Sequence, residues 1–582
     1  MLRAALVFLA LASAPAFAVE RPDAPACVAN GAGDRNGPVF AIPVQFEDDP
    51  PDDVHMAPRC NVETMALSVH NVGALRDIYE NVELDAQSAD GPYVEREVRI
   101  FDALIAQIQA RVAESGDEPV RLLIYAHGGM VFHEDAVLDA ESLAPAMMAD
   151  GYTPLFLIWT SDPFTSYGNR LCCVMDGHEE PIWQGYFAPV RVIGDLISGV
   201  GRAPEAYGKQ FLRFVDSLLP GISQRAYRLS GREYRTDRAY LPAACESREA
   251  ESASDGWNNA SVILPLYCDT DDLNDDARPP GGREVAYYAN LPVRAVATGA
   301  QGIGASAWDN MVRRTRMAFM ASPEFVQQAR YLHDGVDCAA FTRVGARASY
   351  APTQAERDAE GGRRRESGTF QRFFERLNCE LSREPLAGRV EVHFYGHSMG
   401  AIVGDELLRR FPTMPYRRIV YMAAADSIRD FSNAALPIIE DPSREVEFFN
   451  LMLHPMAESR EMHGYGVVPQ GSLLEWIDEM FEGPRSPDDR RMGKWDNIRD
   501  AYQYFPPDAM PRMTFRVFAL QYETPERFGS ECQTMANPED TEEPLMRCHP
   551  TEHGEFNQYS FWRERYLRGH TFEPPPRDVM AD

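Results

Sequence analysis

Lysine is almost missing from this chain of 582 residues: only Lys209 and Lys494 are present, and arginine carries the remaining positive charge. We attribute this to codon composition in a bacterial source. Positive charge of any kind is in deficit, with 57 Lys and Arg against 88 Asp and Glu, for a net charge of −31. A surface of that sign repels phosphate backbones, and no basic stripe with interleaved aromatics offsets it, so nucleic acid is excluded as a partner. Beyond the first twenty residues no apolar run is long enough to cross a bilayer, and no transmembrane segment is expected. No CxxC pair or Cys/His cluster has zinc spacing, so neither metal nor other cofactor is expected. Internal repeats are also missing.

The N-terminus "MLRAALVFLALASAPAFAVERP" joins one arginine to an apolar stretch and ends in Ala16-Phe17-Ala18, the small-residue form of a cleavage site. It reads as a signal peptide over residues 1–18 and implies a secreted or periplasmic protein. All ten cysteines lie beyond it. An even number in an oxidising compartment favours disulfides, with connectivity that sequence does not give. Cys532 and Cys548 bracket a loop that a bridge between them would restrain; pairing elsewhere is the alternative. The Cys172-Cys173 pair reads as structural.

Apolar content of 45% supplies a sizeable core. Nearly continuous apolar runs occur at "VRLLIYAHGG" (120–129), "TPLFLIWTSD" (153–162), "VEVHFYGHSMG" (390–400), "RRIVYMAAAD" (417–426), "VEFFNLMLHP" (446–455) and "MTFRVFALQY" (513–522). Such runs suit strands covered on both faces. Helical patterns alternate with several of them, at 95–114, 135–151 and 368–384. This alternation predicts an α/β fold, with a mostly parallel central sheet and helices on both faces. From Asp162 to Gly368 the strand series stops. Helix-like segments at 186–219 and 306–332 replace it, broken by polar stretches at 246–261 and 353–369. The expected division is 19–161 and 369–582 for the two parts of the sheet domain, with a mainly helical insertion, a cap, at 162–368. "QGSLLEWIDEMF" and "RRMGKWDNIRD" read as core, and "GGRRRESG" as a solvated loop.

The chemistry centres on Gly396-His397-Ser398-Met399-Gly400, between an apolar strand and a helix whose Met399, Val403, Leu407 and Phe411 form one stripe. G-x-S-x-G in that setting is a nucleophile elbow: glycines permit a turn so tight that serine sits exposed on a strained corner. The helix N-terminus favours developing negative charge. Acyl transfer also needs preplaced donors for an oxyanion. The Met399 backbone N–H is one candidate. The His127-Gly128-Gly129-Met130 turn, at the end of the first apolar run, supplies the other.

With "HGG" and "GHSMG" in this order and placement, the chain resembles a serine hydrolase of the α/β-hydrolase superfamily, close to its lipase and esterase branch. The resemblance covers about residues 70–160 and 370–570; the insertion matches no pattern. It implies a base after the last strand, where His553, in "CHPTEHGEFNQ", has the expected position, with His549 as competitor and His570 in a proline-rich tail. The implied acid is Glu458, after "LMLHP", or Asp426, after the preceding strand, and both remain open. His454 reads as structural. The implied activity is hydrolysis of a small-molecule or lipid ester, through an acyl-enzyme on Ser398. A non-catalytic binding protein on the same fold, or an acyltransferase or peptidase with the same triad, is the alternative.

Overall fold

The computed structural model describes residues 62, 65–69, 75–76, 92–172, 174–175, 178–179, 182–201, 262–264, 291–321, 338–339, 368–453, 457–458, 461, 471–501, 505–518, 533–535, 545–547, 550 and 552–568. The signal segment, His454, His549, His570, Cys532 and Cys548 lie outside the described residues.

A nine-stranded sheet organises the chain. Its strands are β1 (Ala66–Val69), β2 (Leu75–Arg76), β3 (Val120–Ala126), β4 (Tyr152–Trp159), β5 (Val262–Leu264), β6 (Val390–His397), β7 (Tyr416–Met422), β8 (Glu447–Leu453) and β9 (Met513–Phe518). They lie in the order β2-β1-β4-β3-β6-β7-β8-β9-β5. The seven inner strands are parallel, and the two edge strands, β2 and β5, run antiparallel to their neighbours. Every residue of β4, and all but one each of β3 and β6, is buried, as continuous apolar runs in a doubly covered sheet require.

The flanking helices include α1 (Pro92–Glu114), α2 (His133–Ala149), α3 (Pro163–Cys172), α4 (Leu291–Ala318), α5 (Thr369–Leu381), α6 (Gly400–Arg410) and α7 (Ile428–Ala434). Arg372 of α5 makes a two-pronged ion pair with Glu97 of α1, at 2.7 and 2.8 Å, with both side chains buried. Losing either partner would strand the other charge inside the core, so the pair fixes how these helices meet. On α6 the predicted stripe Met399, Val403, Leu407 and Phe411 is buried throughout. No helix among the described residues is long and apolar enough to cross a membrane.

All six predicted strands form, within a few residues of their expected ends, as do α1, α2 and α5. Strands β1, β2 and β5 were not anticipated. They are two to four residues long, too short to show a periodicity, and edge pairing defines them. Strand β5 also qualifies the mainly helical insertion, because it returns to extend the sheet beside β9. The remainder of the described insertion is α3, α4, two short strands at 174–175 and 178–179, and a continuous helical stretch at 182–201. A disulfide joins Cys338 in the insertion to Cys379 of α5, with Sγ–Sγ 2.04 Å. Leu473, Leu474, Trp476, Ile477, Met492 and Trp495 are buried, as expected for the two tryptophan-bearing stretches.

Candidate active site

Strand β6 delivers Ser398 onto the corner before α6, with a φ of 50°. A non-glycine residue there is strained, and it persists only where its surroundings hold it. They do so through the backbone. The Ser398 N–H donates to the Met422 carbonyl at 2.8 Å, and its carbonyl accepts from Ala425 and Ala401 at 3.0 and 3.1 Å. The end of β7 thus braces the corner. Both flanking glycines are required by space: a Cβ on Gly396 would stand 2.8 Å from backbone atoms of Gly400, and one on Gly400 would stand 2.1 Å from the Ala126 carbonyl oxygen.

The turn after β3 lies against this corner. A Cβ on Gly128 would meet His397 Nδ1 at 2.9 Å and Ser398 Cβ at 3.5 Å, so only glycine allows so close an approach. His127 itself is buried and stacked on Trp159, with ring centroids 3.9 Å apart. Its Nδ1–H donates to the Gly128 carbonyl at 2.7 Å, and its Nε2 accepts the Trp159 N–H at 3.2 Å. Burial holds its pKa down to about 4, and the neutral ring acts as a strut for the turn. Met130, at φ 61°, donates its N–H to Ser161 at 3.0 Å, so that donor is already used. The Met399 N–H meets no backbone acceptor among the described residues and remains available to a ligand. From the insertion, Met311 of α4 comes within 3.3 Å of where a Cβ on Gly129 would sit. Ser398 is 1% exposed, so the corner is covered.

His553 Nε2 lies 2.8 Å from Ser398 Oγ. Across 155 residues of chain, this contact joins an imidazole to a hydroxyl. His553 opens the short 3-10 helix His553–Gln558, and that segment is anchored from several sides. Asn557 donates to Asp139 of α2 at 2.9 Å, while Trp562 and Arg563 donate to Asp150 at 2.6 and 2.7 Å. Phe561 stacks on Tyr125 of β3 at 5.1 Å. The His553 backbone is itself gripped at both ends: its N–H donates to Glu461 Oε2 at 3.0 Å, and its carbonyl accepts from His397 Nε2 at 2.9 Å. Because a carbonyl only accepts, His397 must carry its proton on Nε2. Burial keeps that ring neutral, with a pKa near 4.

The two acids named from sequence sit in different surroundings. Glu458 is buried, one of its oxygens accepts the Ser472 hydroxyl, and Oε1 has no hydrogen-bond partner among the described residues. Burial first, and then the nearby Glu461 and Glu475, push its pKa up to about 8. Asp426 lies four residues beyond the end of β7, and neither carboxylate oxygen has a hydrogen-bond partner among the described residues. Burial also raises it well above the usual carboxylate range, beside Asp405 of α6. Asp405 accepts the Tyr421 hydroxyl at 2.7 Å. Neither Glu458 nor Asp426 is hydrogen-bonded to His553. Glu461 does touch His553, its carboxylate accepting the backbone N–H.

Sequence reasoning did not single out Glu461 or His397 for a role. His397 was visible as the residue before the serine, but only the folded chain shows that its ring reaches the His553 carbonyl. Glu461 follows Glu458 by one helical turn, its N–H donating to the Ala457 carbonyl at 3.1 Å, a spacing that places both carboxylates on one side. Compared with protein-family models, with curated proteins and with solved structures, the chain matches none.

Proposed function

We propose that this protein is a serine hydrolase that cleaves carboxylic esters, built on an α/β-hydrolase type of sheet. The observation that carries the reading is the 2.8 Å contact of His553 Nε2 with Ser398 Oγ, made on a positive-φ corner beside the available Met399 N–H. The strand order is not the superfamily's usual one, so the support comes from the site more than from the sheet.

In this reading His553 Nε2 accepts the hydroxyl proton as Ser398 Oγ bonds to the acyl carbon. The resulting oxyanion takes the Met399 N–H and a second donor from the Gly128-Gly129 turn. The protonated His553 gives its proton to the leaving alcohol. Water, deprotonated by the same imidazole, then releases the acid and frees Ser398. Glu458, with Glu461 beside it, stabilises the charged imidazole. The insertion acts as a cap: Met311 against Gly129 and the 1% exposure of Ser398 support this, and substrate access then requires α4 or its neighbours to shift. Export is part of the proposal, supported by the leader-like N-terminus and the Cys338–Cys379 bridge.

A fluorophosphonate probe tests the assignment directly. Wild-type protein should be labelled and Ser398→Ala should not, and p-nitrophenyl esters from acetyl to palmitoyl should report the acyl preference. Intact protein that shows no Ser398-dependent labelling is a binding protein on this fold, and the hydrolase reading then fails.

A further inference from the structure

Residues 188–201 form a helix that is turned inside out. Its two charged side chains face the protein. Arg191 donates to the carbonyls of Arg170 and Leu171, at 3.2 and 2.8 Å. Asp195 accepts from Tyr167 at 3.1 Å, Arg170 at 3.2 Å and Ser306 at 2.7 Å. The side packed on Tyr167, Leu171 and Ala307 carries Ala188 and Val192. The opposite side carries Val190, Ile193, Ile197 and Val200, spaced three and four apart, and it faces outward: Val190 is 67% and Ile197 66% exposed. Tyr186, just ahead of the helix, is 86% exposed.

The helix rests on α3 and α4: Arg191 and Asp195 reach the C-terminal half of α3, and a Cβ on Gly302 of α4 would stand 2.7 Å from the Gly199 N. Phe164 closely follows Ser161, whose carbonyl takes the Met130 N–H. Met130, Phe132 and Phe164 are exposed as well. All nine exposed large apolar side chains among the described residues lie between positions 130 and 200. An apolar face of this kind, with no charge on it, marks a contact surface.

We propose that this face docks on the hydrocarbon boundary of a neutral lipid assembly, such as a zwitterionic bilayer surface or a lipid micelle. Charge decides the occupant. A helix enters an apolar medium cheaply when its backbone bonds are internal and its charged groups are already paired on the protein side. Both conditions hold over 188–201. The net charge of −31 disfavours an anionic surface and leaves a neutral one. A soluble partner would be expected to meet polar groups along the rim, whereas the outward positions from 190 to 200 offer none that are charged.

The inference concerns a surface and stands independently of the reaction assigned to Ser398. It is tested by flotation of the full Ser398→Ala chain with phosphatidylcholine vesicles. The protein should float with the vesicles, undiminished in high salt, and the double variant Ile193→Asp/Ile197→Asp should lose binding at least about tenfold. In the Ser398 background the double variant should keep its circular dichroism spectrum and its rate on a water-soluble acetyl ester. Absence of flotation, equal flotation of the double variant, or flotation confined to anionic vesicles and abolished by salt overturns the proposal. A non-floating protein that is dimeric, and that the double variant renders monomeric, assigns the face to a second copy and overturns it too. Flotation without Ser398 labelling defeats the hydrolase reading and leaves the docking surface standing.

Discussion

His397, the residue immediately before the serine corner, donates from Nε2 to the backbone carbonyl of His553 at 2.9 Å. One side chain therefore ties the loop that carries His553 to the strand that carries Ser398. On its other side the same ring touches the space that a Cβ on Gly128 would fill, at 2.9 Å. His553, Ser398 and the Gly128-Gly129 turn, the proposed base, nucleophile and oxyanion site, thus meet around a single neutral imidazole.

Ser398→Ala and His553→Ala should each lower ester hydrolysis by about 10⁴-fold or more, with the fold retained, because nucleophile and base act as one unit. Steady-state rates on p-nitrophenyl acetate, alongside thermal melts, check this. A folded Ser398→Ala protein that turns over at the wild-type rate removes Ser398 from the mechanism.

His397→Phe keeps the ring volume and deletes the donor, leaving the His553 carbonyl without its partner. We expect kcat to fall about 10- to 100-fold with little change in KM, since a misplacement of the base is felt in the chemical step. Because burial keeps His397 neutral down to about pH 4, the ratio of mutant to wild-type rates should stay flat from pH 6 to 9. A sloping ratio would mean that His397 takes part in proton transfer.

Glu458→Gln should cost about 100-fold or more in kcat, and Asp426→Asn much less, because an orienting charge must sit behind His553. With its pKa held up to about 8, Glu458 is largely neutral below that value and can stabilise an imidazolium only once ionised. The wild-type rate should therefore rise with pH through about 8, and Glu458→Gln should lack that rise. The reverse ranking transfers the role to Asp426. Small and equal losses, with a large loss in Glu461→Gln, transfer it to Glu461.

Stability should also depend on pH through the Asp405 and Asp426 pair. Both pKa values are raised above 3.8 by burial, so the folded state holds protons that the unfolded chain releases. Their contribution is fully present below the ordinary carboxylate range and is lost as pH rises through the elevated folded values. Denaturant melts should show wild type weakening between about pH 4 and alkaline pH, and Asp426→Asn should flatten that decline. An unchanged slope would show that the pair is not protonated in the native state.

The six long strands could be read from sequence because each is buried on both faces and so is apolar almost throughout, as in "YTPLFLIW". Strands of two to four residues carry no such signal, and β1, β2 and β5 become strands only by pairing with a neighbour. The acid illustrates a second limit. Glu458 and Asp426 both follow strands at plausible positions, but whether a carboxylate is ionised depends on neighbours that come from other parts of the chain. Those neighbours are Ser472, Glu475 and Lys494 for Glu458, and Asp405 for Asp426.

By itself, the sequence determined what is local. Gly396 and Ser398 specify a tight corner because a Cβ at 396 would meet the Gly400 backbone four residues on. The demand for glycine at 400, 128 and 129 comes instead from strands and helices far along the chain, since Gly400 lies against Ala126 and the Gly128-Gly129 pair against His397, Ser398, Met311 and Met399. Only the tertiary structure decided what depends on distance through space: that His553 meets Ser398 across the fold, that Glu461 and His397 grip its backbone, and that Met311 reaches the Gly128-Gly129 turn. The same holds for helix 188–201. Its sequence shows apolar residues at helical spacing, which ordinarily mark a buried face. The partners of Arg191 and Asp195 on α3 and α4 turned that face outward, because pairing two charges inside the protein left the apolar side no room there.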